Sequence, residues 1–256
     1  QRELDALTYL SVLAHKNKQE DDKYHYLREA EHKMKAYQFP SYHLAIVPFH
    51  YAIFAKSRAV NYLSAARMFL FGARDIWFVV ALPVFLTTQF AWDHWYVGGF
   101  LATWVIGYGI VQSLAPKITG KNKGVMPDGR HATAWALGLS ITPALIALSL
   151  TYNWHVETLL IGGLLAFGAL FAVNSALHSY LIVSYASEDR VSLDVGFYYM
   201  ANAMGRLIGT VLSGWIYQDF GLAACLWLST LFILLAALIS QGLPKHPRAK
   251  LHASSL

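Results

Sequence analysis

Five charged side chains stand inside long apolar runs of this chain. Arg67, Arg74 and Asp75 lie in NYLSAARMFLFGARDIWFVVALPVFL, and Asp194 and Arg206 lie in VSLDVGFYYMANAMGRLIGTVLSGWIYQ. A charge inside a membrane is costly and is usually retained because it serves an ion or substrate pathway. A guanidinium also binds phosphate-like groups through two parallel hydrogen bonds. These residues therefore predict a site for an anion with phosphate-like oxygens.

Helical spacing places the first two arginines on one face. At about 100° per residue, the step from Arg67 to Arg74 returns almost to the same azimuth. Arg74 is then about 20 Å from the start of its helix, near the bilayer centre, and Arg67 is about 10 Å from it. Two alternatives remain open: Arg74 pairs with its neighbour Asp75, or Arg67 extends toward the cytoplasmic surface. Because adjacent side chains point about 100° apart, Asp75 is expected to pair with another helix.

Two further polar stripes lie in later apolar runs. Asn174 and His178 are one helical turn apart, and His178 either hydrogen-bonds a neighbouring carbonyl or serves as a substrate ligand or titrating group. Tyr199, Asn202 and Arg206 recur at spacings of three and four residues, which predicts one polar face. The alternative for Arg206 is a purely structural pairing with an aspartate.

Glycines in the same runs predict close helix packing. Gly205 and Gly209 form a small-residue pair about 100° away from Arg206, so one face packs while the adjacent face offers polar groups. A second glycine-rich run is likewise expected where helices approach each other; it contains Gly98, Gly99, Gly107 and Gly109.

The three arginines outnumber the two aspartates, so a bound anion is the economical counter-ion. We expect Arg74 and Arg206 to hold the anion, with Arg67 and His178 at the cytoplasmic entrance. The predicted substrate-binding residues are Arg67, Arg74, Asn174, His178, Tyr199, Asn202 and Arg206. Asp75 and Asp194 are predicted to act in proton coupling or ion pairing.

Apolar segments of membrane-spanning length must position these residues. The chain is 56% hydrophobic and 14% charged, against about 25% charged residues in a typical soluble domain. A bilayer is crossed by about 20 mostly apolar residues in a helix. The prediction is an all-α integral membrane protein with six transmembrane helices, at 60–86, 94–115, 132–151, 158–184, 192–218 and 222–243.

The loops predict the orientation of these spans. Lys and Arg occur before the first span, in the loops 116–131 and 185–191, and in the C-terminal tail. The loops 87–93, 152–157 and 219–221 contain neither residue type. Under the positive-inside rule, this alternation places both termini on the cytoplasmic side of the membrane. The predicted location is the cell (inner or plasma) membrane.

The domain boundaries follow from these spans. Residues 58–244 form the transmembrane domain, and residues 245–256 form a cytoplasmic tail. Residues 1–57 form a charged cytoplasmic or interfacial segment, because the apolar stretch 41–55 is too short to span and contains Pro48. The chain starts at Gln1, which suggests a fragment or a processed product.

Several other classes of protein are excluded. The single Cys225 allows no intrachain disulfide and no thiolate metal cluster. No nucleic acid is expected despite a pI of about 9.2, because the basic residues stand at the ends of apolar segments. We expect neither an enzyme nor a cofactor or metal site, since no spaced metal ligands, Ser/His/Asp set or phosphate-binding glycine loop occurs on any predicted span.

The quoted apolar runs resemble a known family. The chain from about residue 57 to 244 resembles the ArsJ-type organoarsenical efflux permeases of the major facilitator superfamily, most specifically in SRAVNYLSAARMFLFGARDIWFVVALPVFL, VGGFLATWVIGYGIVQSLAP and AVNSALHSYLIVSYASEDRVSLDVGFYYMANAMGRLIGTVLSGWIYQ. The resemblance implies helices seven to twelve of a twelve-helix fold. Helices seven and ten would then line the central cavity, with helix eleven close by, and these three helices carry the predicted site.

The resemblance also implies a substrate and partners. The family exports 1-arseno-3-phosphoglycerate, which forms when glyceraldehyde-3-phosphate dehydrogenase uses arsenate, and thereby confers arsenate resistance. A major-facilitator cavity lies between two six-helix halves, so a second half or a second copy of this chain would supply the other wall. The alternatives are an exporter of other organic phosphates and a non-transporting, truncated membrane module.

Overall fold

The computed structural model describes residues 57–119, 127–186 and 191–244. Regular structure in these ranges is α-helical and comprises α1 (Arg58–Phe78), α2 (Ala81–Gln89), α3 (His94–Ile118), α4 (Gly129–Tyr152), α5 (Val156–Tyr185) and α6 (Val191–Ser240). The predicted tail 245–256 and the predicted N-terminal segment, apart from Ser57, lie outside the described residues. The boundaries of these segments stay predictions.

Five helical stretches within the described ranges are long and apolar enough to cross a bilayer, judged by length and composition. They are α3, α4, α5, α6 and the combined stretch Arg58–Gln89. The all-α, membrane-type architecture agrees with the prediction, whereas the number of six spans stays a prediction. The difference lies in α6, which has 50 residues and would be about 75 Å long if it were straight.

The backbone of α6 reverses direction at one glycine. Gly221 has φ 75° and ψ −176°, which is not a helical conformation and is one that glycine adopts readily. A β-carbon added at Gly72 would lie 3.0 Å from the carbonyl oxygen of Gly205 and 3.3 Å from the ring of Phe232. In a straight helix those two partners would be about 40 Å apart. The segments 191–220 and 222–240 therefore fold back on each other, at the turn that the sequence predicted.

The first predicted span is interrupted, which the prediction of one continuous helix over 60–86 missed. α1 ends at Phe78, and α2 begins at Ala81. Pro83 explains the break, because a proline ring clashes with the carbonyl four residues earlier, here that of Val79. The backbone N–H of Ala81 donates to Ser213 Oγ at 3.1 Å, so a residue of α6 satisfies a donor freed at the break.

All six helices contribute to the apolar core, and its aromatic cluster lies between α1, α3 and α5. The fully buried Trp77 of α1 packs edge-on against Phe167, with ring centroids 5.0 Å apart, and against Trp104, at 6.3 Å. The indole of Trp104 in turn donates to the carbonyl of Leu164 at 2.8 Å. These aromatic contacts hold α1 against α3 and α5, and thereby position the polar residues along the rest of α1.

Close backbone contact joins α1 to the first half of α6. A β-carbon added at Gly205 would overlap the carbonyl oxygen of Met68, and one added at Gly209 would lie 2.5 Å from that of Gly72. The close packing predicted for Gly205 and Gly209 is therefore confirmed. For the glycines of α3 it stays a prediction: within the described part of the chain nothing lies within 4 Å of an added β-carbon at Gly98, Gly99, Gly107 or Gly109.

A capping box begins α4. Asp128 Oδ1 accepts hydrogen bonds from the backbone N–H groups of Arg130 at 3.0 Å and His131 at 3.3 Å, and His131 Nδ1 lies 2.8 Å from it. Burial raises the pKa of Asp128, but the hydrogen bonds from His131 and Arg130 outweigh it and leave the pKa below its usual value. Tyr185, at the end of α5, donates to the carbonyl of Pro244 at 3.1 Å, so the ends of α5 and α6 meet here.

Candidate functional site

Asp75 joins the two arginines that were predicted to hold the anion. Its Oδ1 lies 2.6 Å from Arg74 Nη2, and its Oδ2 lies 3.0 Å from Arg206 Nε. The expectation that Asp75 pairs with another helix is correct for Arg206 of α6. It is incomplete for Arg74, which also pairs with this neighbouring carboxylate. The long, flexible side chain of Arg74 overcomes the angular offset between adjacent positions.

Exposure differs sharply within this ion-paired group. The Asp75 side chain is 1% exposed, that of Arg74 is 14% exposed and that of Arg206 is 56% exposed. Tyr199 is also open, at 55%. The carboxylate is therefore enclosed, while Arg206 and Tyr199 present an accessible polar edge on α6.

Arg67 forms a separate, buried centre and is 5% exposed. Its Nε donates to Asn202 Oδ1 at 3.1 Å, and its Nη1 donates to the carbonyl of Ser175 at 3.1 Å and to Ser175 Oγ at 3.3 Å. These bonds tie α1 to α5 and α6. No carboxylate of the described residues lies within 4 Å of this guanidinium. The open alternative that Arg67 extends to the surface is therefore wrong.

Aromatic rings separate and support the arginines. The guanidinium carbon of Arg67 lies 3.8 Å from the ring centre of Phe71, and that of Arg74 lies 5.2 Å from the same centre. Arg67 also lies 5.1 Å from the ring of Tyr198, and Arg74 lies 5.4 Å from that of Phe171. Such cation–π contacts stabilise buried guanidinium groups without a carboxylate. The two arginines thus share one face of α1, as the spacing predicted.

The polar residues of α5 occupy two different places. Asn174 is fully buried and donates to the carbonyls of Trp135 at 3.0 Å and Leu170 at 3.1 Å, so its amide connects α5 to α4. His178 is also buried, at 1% exposure. The placement of Arg67 and His178 at the cytoplasmic entrance stays a prediction. Asp194 is buried at the start of α6 and takes part in an interaction of its own.

Three contributors to this site were not predicted from the sequence. Ser175 accepts from Arg67, and Phe71 and Tyr198 provide the ring surfaces around it. Ser175 stands beside Asn174, so a search for polar residues at helical spacing could have found it. Nothing in the sequence distinguishes Phe71 or Tyr198 from the many other aromatic residues of these runs.

This arrangement is suited to binding an anion. The side chains of Arg67, Arg74, Arg206 and Asp75 carry three positive charges and one negative charge, all in contact with α1. An unbalanced cationic cluster in a low-dielectric interior is stabilised by an incoming anion. Among the described residues, no three His, Cys, Asp or Glu side chains are placed to hold a metal ion.

Apolar helices of membrane-spanning length that carry a cationic cluster are typical of membrane transport proteins. The sequence profile of the Major Facilitator Superfamily matches residues 63–255. The chain belongs to this superfamily of secondary transporters and is a multi-pass membrane protein. No curated protein matches the chain. The cytoplasmic placement of the two termini stays a prediction.

Proposed function

We propose that this chain is the C-terminal six-helix half of a transporter that exports an organic arsenate or phosphate ester, with 1-arseno-3-phosphoglycerate as substrate. The observation that carries the proposal is the cluster in which Arg74 and Arg206 share Asp75 while Arg67 contacts no described carboxylate. Family membership supports the transport step, and the resemblance of the quoted runs to the organoarsenical permeases supports the substrate.

In this proposal, the carboxylate of Asp75 binds the two arginines while no substrate anion is bound. A carboxylate that accepts from two arginines offers the same two-oxygen surface that a phosphate or arsenate group would offer them. Because Arg206 is 56% exposed, an incoming anion can approach it from the open side. The anion then displaces Asp75 from Arg206, and the buried carboxylate keeps its contact with Arg74.

A substrate with an anionic group at each end suits two separated cationic centres. Arg74 and Arg206 bind one end, and Arg67 binds the other after it exchanges its hydrogen bonds to Asn202 and Ser175. Tyr199 and Asn202 orient the ester between the two ends through hydrogen bonds. Asn174 keeps α4 and α5 together in this scheme, because its amide donates to Trp135 and Leu170.

A second wall completes the cavity. Superfamily transporters bind substrate between two halves that rock against each other, and this chain supplies the half with α1, α5 and α6. A separate six-helix half or a second copy supplies the other. Glyceraldehyde-3-phosphate dehydrogenase is the functional partner, because it makes the arsenylated substrate in the cytoplasm.

Arsenate resistance tests the proposal. An arsenate-sensitive bacterium expresses this chain with glyceraldehyde-3-phosphate dehydrogenase and a matching N-terminal half, and growth is measured against arsenate concentration. We expect resistance that requires the dehydrogenase and is lost in Arg74→Gln, because the variant removes one of the two cations that face the anion.

Arg130→Gln is the matched control, since Arg130 is exposed at the start of α4. Its resistance should equal that of the unchanged protein. Resistance retained in Arg74→Gln would contradict the proposed site. Transport assays with 3-phosphoglycerate and other phosphate esters as competitors separate an arsenical exporter from a general organic-phosphate exporter.

A further inference from the structure

Phe71 stands between two arginines on one face of α1. It follows Arg67 by four residues and precedes Arg74 by three, so helical periodicity brings the three side chains together. Its ring centre lies 3.8 Å from the guanidinium carbon of Arg67 and 5.2 Å from that of Arg74. The first distance is short enough for the planar guanidinium to stack on the ring. Phe71 is itself 7% exposed, so two cations share one buried aromatic ring.

The two arginines differ in how their charge is balanced. Arg74 pairs with Asp75, whose Oδ1 lies 2.6 Å from Arg74 Nη2. No carboxylate of the described residues lies within 4 Å of Arg67, whose hydrogen bonds run to uncharged acceptors. Like charges repel more strongly in a low-dielectric interior than in water. A group other than a carboxylate must therefore stabilise the guanidinium of Arg67 beside that of Arg74.

Phe71 supplies this stabilisation without cancelling the charge. The electron-rich face of an aromatic ring attracts a cation, and the attraction is stronger where water is excluded. A carboxylate in the same place would also attract Arg67, but it would accept from the N–H groups and remove one positive charge from the cluster. The ring leaves both the charge and the N–H groups for an incoming anion. Phe71 thus stabilises the arginines in the empty site and does not compete with the ligand.

Rings of α5 fix the position of Phe71. The ring centre of Phe171 lies 5.0 Å from that of Phe71 and 5.4 Å from the guanidinium carbon of Arg74. Phe167, one turn earlier on α5, stacks on Phe171 with ring centres 5.6 Å apart and planes 14° from parallel. Because Phe167 and Phe171 are both fully buried, the Phe71 ring has little room to turn away from the arginines.

We propose that Phe71 is a positioning residue of the anion site, which holds Arg67 and Arg74 by cation–π contacts and leaves their N–H groups to the substrate. Phosphate oxygens bind a guanidinium at its N–H edge, whereas an aromatic ring contacts its face. The two contacts therefore coexist, and an anion need not displace the ring as it displaces Asp75 from Arg206. This role rests on the proposed function, because it concerns how tightly the site binds a phosphate ester.

Graded fluorination of the Phe71 ring tests the inference. Phenylalanine analogues with one, two or three ring fluorines nearly keep the shape of the side chain but draw electron density from the ring face. They are incorporated at position 71 of the chain, which is assembled with a matching N-terminal half, and titration calorimetry measures the dissociation constant of 3-phosphoglycerate. We expect this constant to rise step by step, by about ten-fold over the series.

The same series at Phe69 is the control. The ring of Phe69 packs edge-on against that of Phe232, with ring centres 5.3 Å apart, and no arginine of the described residues lies over it. Fluorination there should leave the dissociation constant unchanged. Without ligand, the thermal midpoint should fall more steeply along the Phe71 series than along the Phe69 series, because the cation–π contacts are present in the empty site.

Two outcomes would overturn the inference: a dissociation constant that does not change along the Phe71 series, or one that rises equally along the Phe69 series. In either case, binding of 3-phosphoglycerate to the unfluorinated protein leaves the proposed function standing. If the unfluorinated protein binds inorganic phosphate but not 3-phosphoglycerate, the proposed substrate is wrong, and the two series measured with phosphate decide the role of Phe71. Binding of neither anion overturns the anion site and the inference together.

Discussion

Two glycine-rich helices of this protein use their glycines in opposite ways. In α6, Gly205 and Gly209 allow the backbone to approach α1 so closely that an added methyl group would meet carbonyl oxygens. In α3, four glycines lie in open space within the described structure, and the helix is held instead by Trp104 against α5. Similar small-residue patterns therefore mark a close seam in one helix and a loosely packed surface in the other.

The α1–α6 contact differs in function from the α3–α5 contact because of the charged side chains that it contains. The α1–α6 seam contains Asp75 and Arg206, whose ion pair requires the two backbones to stay at close range. The contact between α3 and α5 instead places the indole of Trp104 over Gly168, at 2.9 Å from an added β-carbon. The glycines of α6 thus support the site, whereas the glycine of the other seam accommodates a core side chain.

The largest expected effect comes from adding a methyl group where α1 and α6 are in close backbone contact. Gly205→Ala places a methyl group against the Met68 carbonyl, which is backbone and can yield only if α1 and α6 separate. Overpacking of this kind costs roughly 3 kcal/mol or more at the upper end of its range. We expect a much lower thermal midpoint in detergent and loss of arsenate resistance. Gly107→Ala on α3 is the control and should leave both unchanged.

Removal of the shared carboxylate should have an intermediate effect. Asp75→Asn leaves Arg74 and Arg206 without their counter-charge. Breaking a buried pair costs about 3–5 kcal/mol, and we expect about 2 kcal/mol here because Arg206 is largely exposed. Thermal unfolding measures the loss, and saturating 3-phosphoglycerate should restore part of it. In Asp93→Asn the cap of α3 is retained, since both residue types cap helices well, so its midpoint should not move.

The smallest expected effect concerns the contact between α3 and α5. Trp104→Phe removes the indole donor to Leu164 but keeps a ring over Gly168. The loss of one hydrogen bond costs about 1 kcal/mol, and transport should persist because no residue of the cationic cluster changes. Trp215→Phe, at an exposed position, provides the comparison. Loss of transport in Trp104→Phe with little change in stability would show that α3 also serves the site.

Much of the architecture was predictable because it depends on local patterns. Apolar length indicated the spans, and Asp219 to Gly221 indicated the turn at which α6 reverses. The break at Val79 was missed, although Pro83 signals it, because the apolar run continues on both sides. The shared face of Arg67 and Arg74 followed from a spacing of two helical turns. The roles of Asn174 and His178 did not follow, because a stripe on one helix does not reveal which neighbour it meets.

The sequence alone determined that this chain forms apolar helices that carry cationic side chains, because hydropathy and helical periodicity are local properties. Only the tertiary structure decided how those charges are shared. Asp75 pairs with two arginines, and Arg67 is surrounded by two aromatic rings and by hydrogen-bond acceptors of α5 and α6. Each outcome depends on the register between separate helices, and that register is set by side-chain volumes along whole seams rather than by any short run of residues.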